Sequence, residues 1–217
     1  MLAIGFDFDH TLGVDNKLER AVLLELGEQH GIALGATRVD AALAAFRGGS
    51  VTLNEALRAL FVGCDVESLI TLFRERVVER APAYVEAIAG AKSLCEALIA
   101  QNIPMAIFTN GWSPLQEKKA ELIGFPGPVF VSENVGLRKP DPAAFQFLAQ
   151  QLGVECVNLV YVGDDPRVDI AGAKAAGARG VWFDWEGRAY PSDIAEPDVT
   201  IHTLDDLANI TVAPTNR

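Results

Sequence analysis

The stretch LAIGFDFDHT, residues 2–11, decides how the chain is read. Leu2–Phe8 is an apolar run of strand length with an acid, Asp7, inside it and a second, Asp9, just beyond. Residues two apart in a strand point the same way, so Asp7 and Asp9 share one side while Phe6 and Phe8 pack on the other. Two carboxylates that close repel unless a cation lies between them or one is protonated. An acid within an apolar strand is rare unless it is paired or bound to a metal. The end of this strand therefore reads as a site, and only secondarily as a turn with Asp9 in solvent.

Working outward, about Leu18 to Val78 is rich in Ala, Leu, Glu and Arg at helical spacing. Gly31, Gly35, Gly48–Gly49 and Gly63 divide it into four helices. After Pro82 the pattern changes. A helix over Gly90–Gln101 precedes a strand at Ile103–Thr109. Ser113 reads as the N-cap of the next helix, with Pro114 at its first position and Gln116 closing a capping box. Further strands fall at Val129–Val131, Leu159–Val162, Val181–Phe183 and Val199–Ile201. Helices lie between them, one capped by Asp141–Pro142 and one over Asp169–Ala176 with Asp169 as its N-cap. Strands alternating with helices predict an α/β fold, a parallel sheet with helices on both faces. The helical segment is inserted after the first strand. The expected organisation is a discontinuous core, residues 1–13 and 86–210, an all-helical cap domain, 14–85, and a loose tail, 211–217.

Open parallel sheets bind ligands beyond the carboxyl ends of their strands. Four polar clusters fall at those ends: Asp7 and Asp9, Thr109–Asn110, Lys139, and Asp164–Asp165 with Asp169 close behind. Thr109-Asn110-Gly111 alone is equally a strand-to-helix turn or an anion-binding one. Lys139 alone reads as a solvated surface group, and Arg138 rivals it for any role. Asp164 and Asp165 are hard oxygen ligands facing two more carboxylates, which suits Mg²⁺. The coincidence of the four carries the argument.

Composition narrows the function. Of 217 residues, 29 are acidic and 18 basic, a formal charge of -11. That balance repels a phosphate backbone and argues against a nucleic-acid polymer as partner. A bound cation and a local Lys must then offset the field around any phosphate-binding site. Cys64, Cys95 and Cys156 are odd in number and without metal-ligand spacing, which fits a reducing, cytoplasmic compartment. The first residues lack the basic and long apolar regions of a signal peptide. No apolar run approaches a bilayer span, so no membrane partner is expected.

The ordered set Asp-x-Asp-x-Thr, Thr after the second strand, Lys, and Gly-Asp-x(4)-Asp resembles the haloacid-dehalogenase-like hydrolase superfamily, in a phosphatase-type form with a helical cap after the first motif. The resemblance implies a Rossmann-like core, Mg²⁺ as cofactor and a small phosphorylated metabolite as substrate. It implies Asp7 as nucleophile and Asp9 as general acid/base, with Lys139 completing the catalytic set. Thr109, Asn110 and Lys139 would bind the phosphoryl group. The metal would be held by the Asp7 carboxylate, the Asp9 backbone carbonyl and the Asp164 carboxylate, with Asp165 and Asp169 acting through waters or from behind. Asp9 favours phosphate transfer over dehalogenation, since the namesake dehalogenases lack it. His10 has no assigned role, and Phe46–Arg47 is a candidate substrate contact in the cap. A phosphomutase on the same core, a receiver-like signalling domain and a non-catalytic relative are the alternatives. The spacing of Asp7 and Asp9 and the large insert argue against a receiver.

Overall fold

The computed structural model describes residues 1–207. The chain runs β1 (Ala3–Phe6), β2 (Gly13–Val14), α1 (Leu18–Gln29), α2 (Ala36–Arg47), α3 (Leu53–Leu60), α4 (Val66–Arg80), β3 (Glu86–Ala87), α5 (Ala91–Ala100), β4 (Met105–Thr109), α6 (Leu115–Leu122), β5 (Val129–Val131), α7 (Ser132–Val135), α8 (Pro142–Gln151), β6 (Leu159–Gly163), α9 (Ala171–Ala175), β7 (Arg179–Phe183) and β8 (Val199–Ile201). It divides into two compact units. One is Met1–Val14 with the chain from Glu86 on, and the other is Asp15–Val85. The expected loose tail, 211–217, lies outside the described residues, as does the end of the expected core.

The first unit is built on a parallel six-stranded sheet in the order β5-β4-β1-β6-β7-β8. Its strands are short apolar runs, and β1, β4 and β6 are buried along their whole length. Parallel sheets are covered on both faces by the helices that connect their strands, so such runs lack the alternation of a half-exposed strand. β1 lies between β4 and β6, with Phe6 opposite Ile107 and Val162. That register brings the ends of the three strands together. Phe108, Phe145, Leu148 and Tyr161 belong to the buried cluster where α8 packs on the sheet.

Local differences from the expected elements have physical causes. β1 stops at Phe6, because Phe8 O already accepts from the amides of Thr11, Leu12 and Gly13 as the chain turns. Gly13–Val14 then pairs antiparallel with Glu86–Ala87. Ser113 does not form a capping box. α6 begins at Leu115, Ser113 Oγ donates to Glu117 at 2.7 Å, and the Gln116 amide is drawn to Asp9 instead. Asp169 is not an N-cap either. Asp165 caps a π-helical turn, Pro166–Ile170, by accepting from the amides of Arg167 and Val168 at 2.8 and 3.0 Å. Asp141 does cap α8, accepting from Ala143 N at 2.9 Å.

The second unit is α1 to α4. Thr52 and Glu55 form a capping box at the start of α3, and Leu57, Leu69, Phe73 and Val77 are buried. Arg47 pairs with the buried Glu19 at 2.6 Å, which ties α2 to α1. Among the described residues no helix is long and apolar enough to cross a membrane.

Candidate active site

The carboxyl ends of β1, β4 and β6 carry Asp7, Thr109 and Asp164, and the loop before α8 brings in Lys139. Lys139 is almost wholly buried. Its Nζ donates to Asp7 Oδ1 at 2.7 Å, Asp169 Oδ1 at 2.7 Å and Tyr161 Oη at 2.8 Å. An ammonium has three N–H groups, so all are spent. The Tyr161 hydroxyl in turn donates to Phe108 O at 2.7 Å. Burial works against the Lys139 charge, but Asp169 and Asp7 outweigh it and hold its pKa well above the ordinary lysine value.

Asn110 positions this lysine rather than facing an open site. Its Nδ2 donates to Lys139 O at 2.8 Å, and its Oδ1 accepts from Lys139 N at 2.9 Å. Arg138, the rival, is exposed and donates to Asn110 O at 3.0 Å. Thr109 is buried, and its Oγ1 accepts from Gly111 N at 3.4 Å.

Asp7, Asp164 and Asp169 each bring a carboxylate oxygen into one cluster, all within 4.8 Å of one another. Burial pushes the Asp7 carboxyl up to about 7. Lys139 opposes that rise, while Asp169 and Asp9 add to it. Asp164 also rises to about 7, through burial and then repulsion from Asp7, offset in part by Arg188. Burial likewise raises Asp169, against the pull of Lys139. Lys139 pairs with two of these three carboxylates, Asp7 and Asp169, and Asp164 pairs with Arg188 at 3.4 Å, which leaves more acids than cations. That excess of negative charge, presented on hard oxygens, is the donor chemistry a divalent cation such as Mg²⁺ requires. Asp165 lies outside the cluster, its Oδ1 committed to the cap described above.

Asp9 is not a member of that cluster and is held from α6. Its Oδ1 accepts from Lys119 Nζ at 2.8 Å and its Oδ2 from Gln116 Nε2 at 2.9 Å. Lys119, Gln116 and Tyr161 were not among the expected site residues. Gln116 and Lys119 lie on the buried face of α6 with Leu115 and Ala120, and a polar pair on an apolar helix face is the signal that marks them. His10 is exposed at φ 61°, with its ring near and nearly parallel to that of Trp185.

Residues 1–177 match the family described as haloacid dehalogenase-like hydrolase. The chain belongs to that family. As a haloacid dehalogenase-like hydrolase it is 32% identical to the phosphoserine phosphatase of Thermus thermophilus, over 93% of this chain and 95% of that one. It is 30% identical to hexitol phosphatase A of Escherichia coli, over 93% and 91%. Among solved structures it superposes on the HAD-hydrolase YfnB of Bacillus subtilis, determined bound to magnesium, with a TM-score of 0.75 and 25% identity over 98% of this chain and 99% of that one. This haloacid dehalogenase-like hydrolase is a phosphatase, and the receiver-like alternative has no support left.

Gly163, just before Asp164, tests the packing of this hydrolase's site. A Cβ there would meet Asp169 Oδ2 at 2.3 Å and Cγ at 2.4 Å. Asp169 cannot yield cheaply, because Lys139 and Asp165 N hold both its oxygens. Gly163→Ala should lower stability by about 2 kcal/mol, the usual cost of overpacking, and reduce turnover with it. Thermal melts and phosphate release measure both, and a variant matching the parent in both would show that Asp169 is free to shift.

Proposed function

We propose that the chain hydrolyses small phosphate monoesters with Mg²⁺, through an aspartyl-phosphate on Asp7. The observation that carries this is the cluster of Asp7, Asp164 and Asp169, two of them fixed by a buried lysine whose N–H groups are all taken. Asp7, Asp164 and the Asp9 carbonyl would hold the metal. Asp169 belongs to the same cluster and would support the metal directly or from behind, and Asp165 shapes the loop through its cap. When bound, Mg²⁺ supplies positive charge to the phosphoryl oxygens.

The protein's own groups do the rest. Lys139 fixes Asp7 Oδ1, leaving Oδ2 to attack phosphorus. As that bond forms, the bond to the leaving oxygen breaks and Asp9 gives the oxygen its proton. Asp9 then takes a proton from the water that attacks the aspartyl-phosphate. The Asp7–phosphorus bond breaks and inorganic phosphate leaves. A covalent carboxylate intermediate divides one slow step into two easier ones. Lys139 serves phosphate through its charge, since its donors are spent. The Thr109 hydroxyl, whose oxygen accepts from Gly111 N, is the neutral donor for the phosphoryl group. Positioning and charge stabilisation are most of what phosphoryl transfer asks of a protein.

The relatives are named for chemically unlike substrates, phosphoserine and hexitol phosphates among them. Their common feature is a small phosphorylated metabolite, which is the substrate class inferred. Cys64, Cys95 and Cys156 are free thiols, in keeping with a cytoplasmic setting.

The test is phosphate release from an aryl phosphate with and without Mg²⁺, paired with melts across pH. Asp7 and Asp164 titrate near 3.8 when unfolded and near 7 in the metal-free fold. Between those values the folded protein binds more protons than the unfolded chain, so stability falls as pH rises and the penalty is complete above about 7. Mg²⁺ replaces those protons. Its stabilisation should therefore be larger at pH 8 than at pH 5, reaching about 3 kcal/mol at a hundredfold excess over Kd. Turnover that persists under EDTA, or a Mg²⁺ shift in Tm that is the same at both pH values, would overturn the reading.

A further inference from the structure

Lys119 is a buried ion that the mechanism above does not use. Its side chain is 2% exposed, on the inner face of α6. An ammonium taken out of water costs several kcal/mol unless it is paired. Here the charge is aimed at Asp9, with Nζ 2.8 Å from Oδ1 and 5.9 Å from the centre of the Phe8 ring. Gln116 reaches the same carboxylate from three residues earlier, one helical turn away and on the same face. Its Nε2 lies 2.9 Å from Oδ2. Both Asp9 oxygens are thus held by one helix that begins just beyond Thr109.

Gly111 is an independent sign that this grip is built in. A Cβ at Gly111 would meet Gln116 Nε2 at 2.3 Å, Cγ at 2.4 Å and Cδ at 2.6 Å. Only glycine leaves Gln116 the place from which it reaches Asp9. An ion pair kept for stability alone has little to recommend it at a buried position, where apolar side chains of similar volume do as well or better.

We infer that Lys119 and Gln116 are positioning residues for the acid/base Asp9, holding its carboxyl group in the orientation from which its protonated form serves the leaving oxygen and its ionised form then serves the attacking water. The inference rests on the reading of Asp9 as general acid/base. It makes the strength of general-acid assistance depend on α6, a helix that carries no member of the sequence motifs.

The consequence is read in leaving-group dependence. A 4-nitrophenolate departs without a proton, whereas phenolate and 4-methoxyphenolate are more basic and gain from one. Protonation by a positioned acid contributes about 10²–10⁴-fold. In Lys119→Met, kcat/KM for 4-nitrophenyl phosphate should fall by only about threefold, while that for phenyl phosphate falls by about 10²-fold. Using kcat/KM confines the comparison to steps up to departure of the leaving group. Gly111→Ala, which keeps Lys119 and its packing, should steepen the dependence less but in the same direction, and covers the case in which Lys119→Met does not fold. An equal loss across the series in the folded variants overturns the inference. Asp9→Asn is run alongside. If it steepens the dependence and the α6 variants do not, the inference fails and the role of Asp9 stands. If Asp9→Asn leaves the dependence unchanged, the general-acid reading fails and takes the inference with it.

Discussion

Asp7→Asn should abolish phosphate release and leave the protein at least as stable as before. The loss follows from chemistry. A carboxamide oxygen is a poor nucleophile toward phosphorus, and removing the nucleophile of a covalent mechanism costs about 10⁴-fold or more in kcat. The stability follows from electrostatics. Asp7 is pushed up to about 7, so its interactions in the metal-free fold are on balance unfavourable to its charge, despite Lys139 at 2.7 Å. Asparagine keeps the acceptor that Lys139 needs and removes the repulsion with Asp164 and Asp169. Lys139 and Asp169 then remain as a buried pair with no net charge. Tm without metal should hold or rise, the fall in stability toward pH 8 should become shallower, and the Mg²⁺ shift should shrink. Melts with and without Mg²⁺ beside steady-state phosphate release check each part. Activity within about tenfold of the parent would remove Asp7 as nucleophile, since no such loss would then have occurred. A large drop in Tm would show that the carboxylate supports the fold rather than straining it.

The parts of this site that were legible in the sequence are those whose signal is local. An apolar run ending in Asp7 and Asp9 needs only residues 2–11 to be read, whereas Thr109 and Asp164, each ambiguous alone, are legible because they also fall at strand ends, those of β4 and β6. The parallel sheet followed from the alternation after Pro82. What was not legible depends on partners far away in the chain. Asp169 precedes a helical pattern and so looks like a cap, but Lys139, 30 residues earlier, draws it inside and Asp165 takes the cap instead. Tyr161 sits in an apolar strand, and nothing in Leu159–Gly163 shows that its hydroxyl links Lys139 to Phe108 O. Lys119 hides in a Glu-Lys-Lys run that reads as a solvated face, although Leu115, Lys119 and Ala120 share the buried side of one helix. Gln116 was legible as polar and misjudged in direction, because a local capping rule cannot see Asp9, 107 residues away. The box at Thr52 and Glu55 obeys the same rule and is present, since no distant charge competes there.

Lys139→Met should be the most damaging single change to the fold at this site. Two carboxylate oxygens, Asp7 Oδ1 and Asp169 Oδ1, lose the donor they accept from, and the Tyr161 hydroxyl keeps only its bond to Phe108 O. Two buried carboxylates are left facing each other with no cation between them. Removing one partner of a buried ion pair costs about 3–5 kcal/mol, because the other charge stays behind. For a chain of this size that is about 10 °C in Tm. Turnover should fall by about 10³-fold, the upper range for loss of a charge that stabilises the transition state. Methionine keeps the length and much of the volume, so the loss reports charge rather than a cavity. The decisive comparison is with Lys139→Met/Asp169→Asn. If the cost comes from stranded charge, taking away one of the two carboxylates should return part of the lost stability, while Asp169→Asn alone gives none. Added Mg²⁺ should also raise the Tm of Lys139→Met more than that of the parent, by neutralising the same oxygens, without restoring turnover. Losses that simply add in the double variant would mean that Lys139 and Asp169 act independently, and the charge balance argued for this site would be wrong.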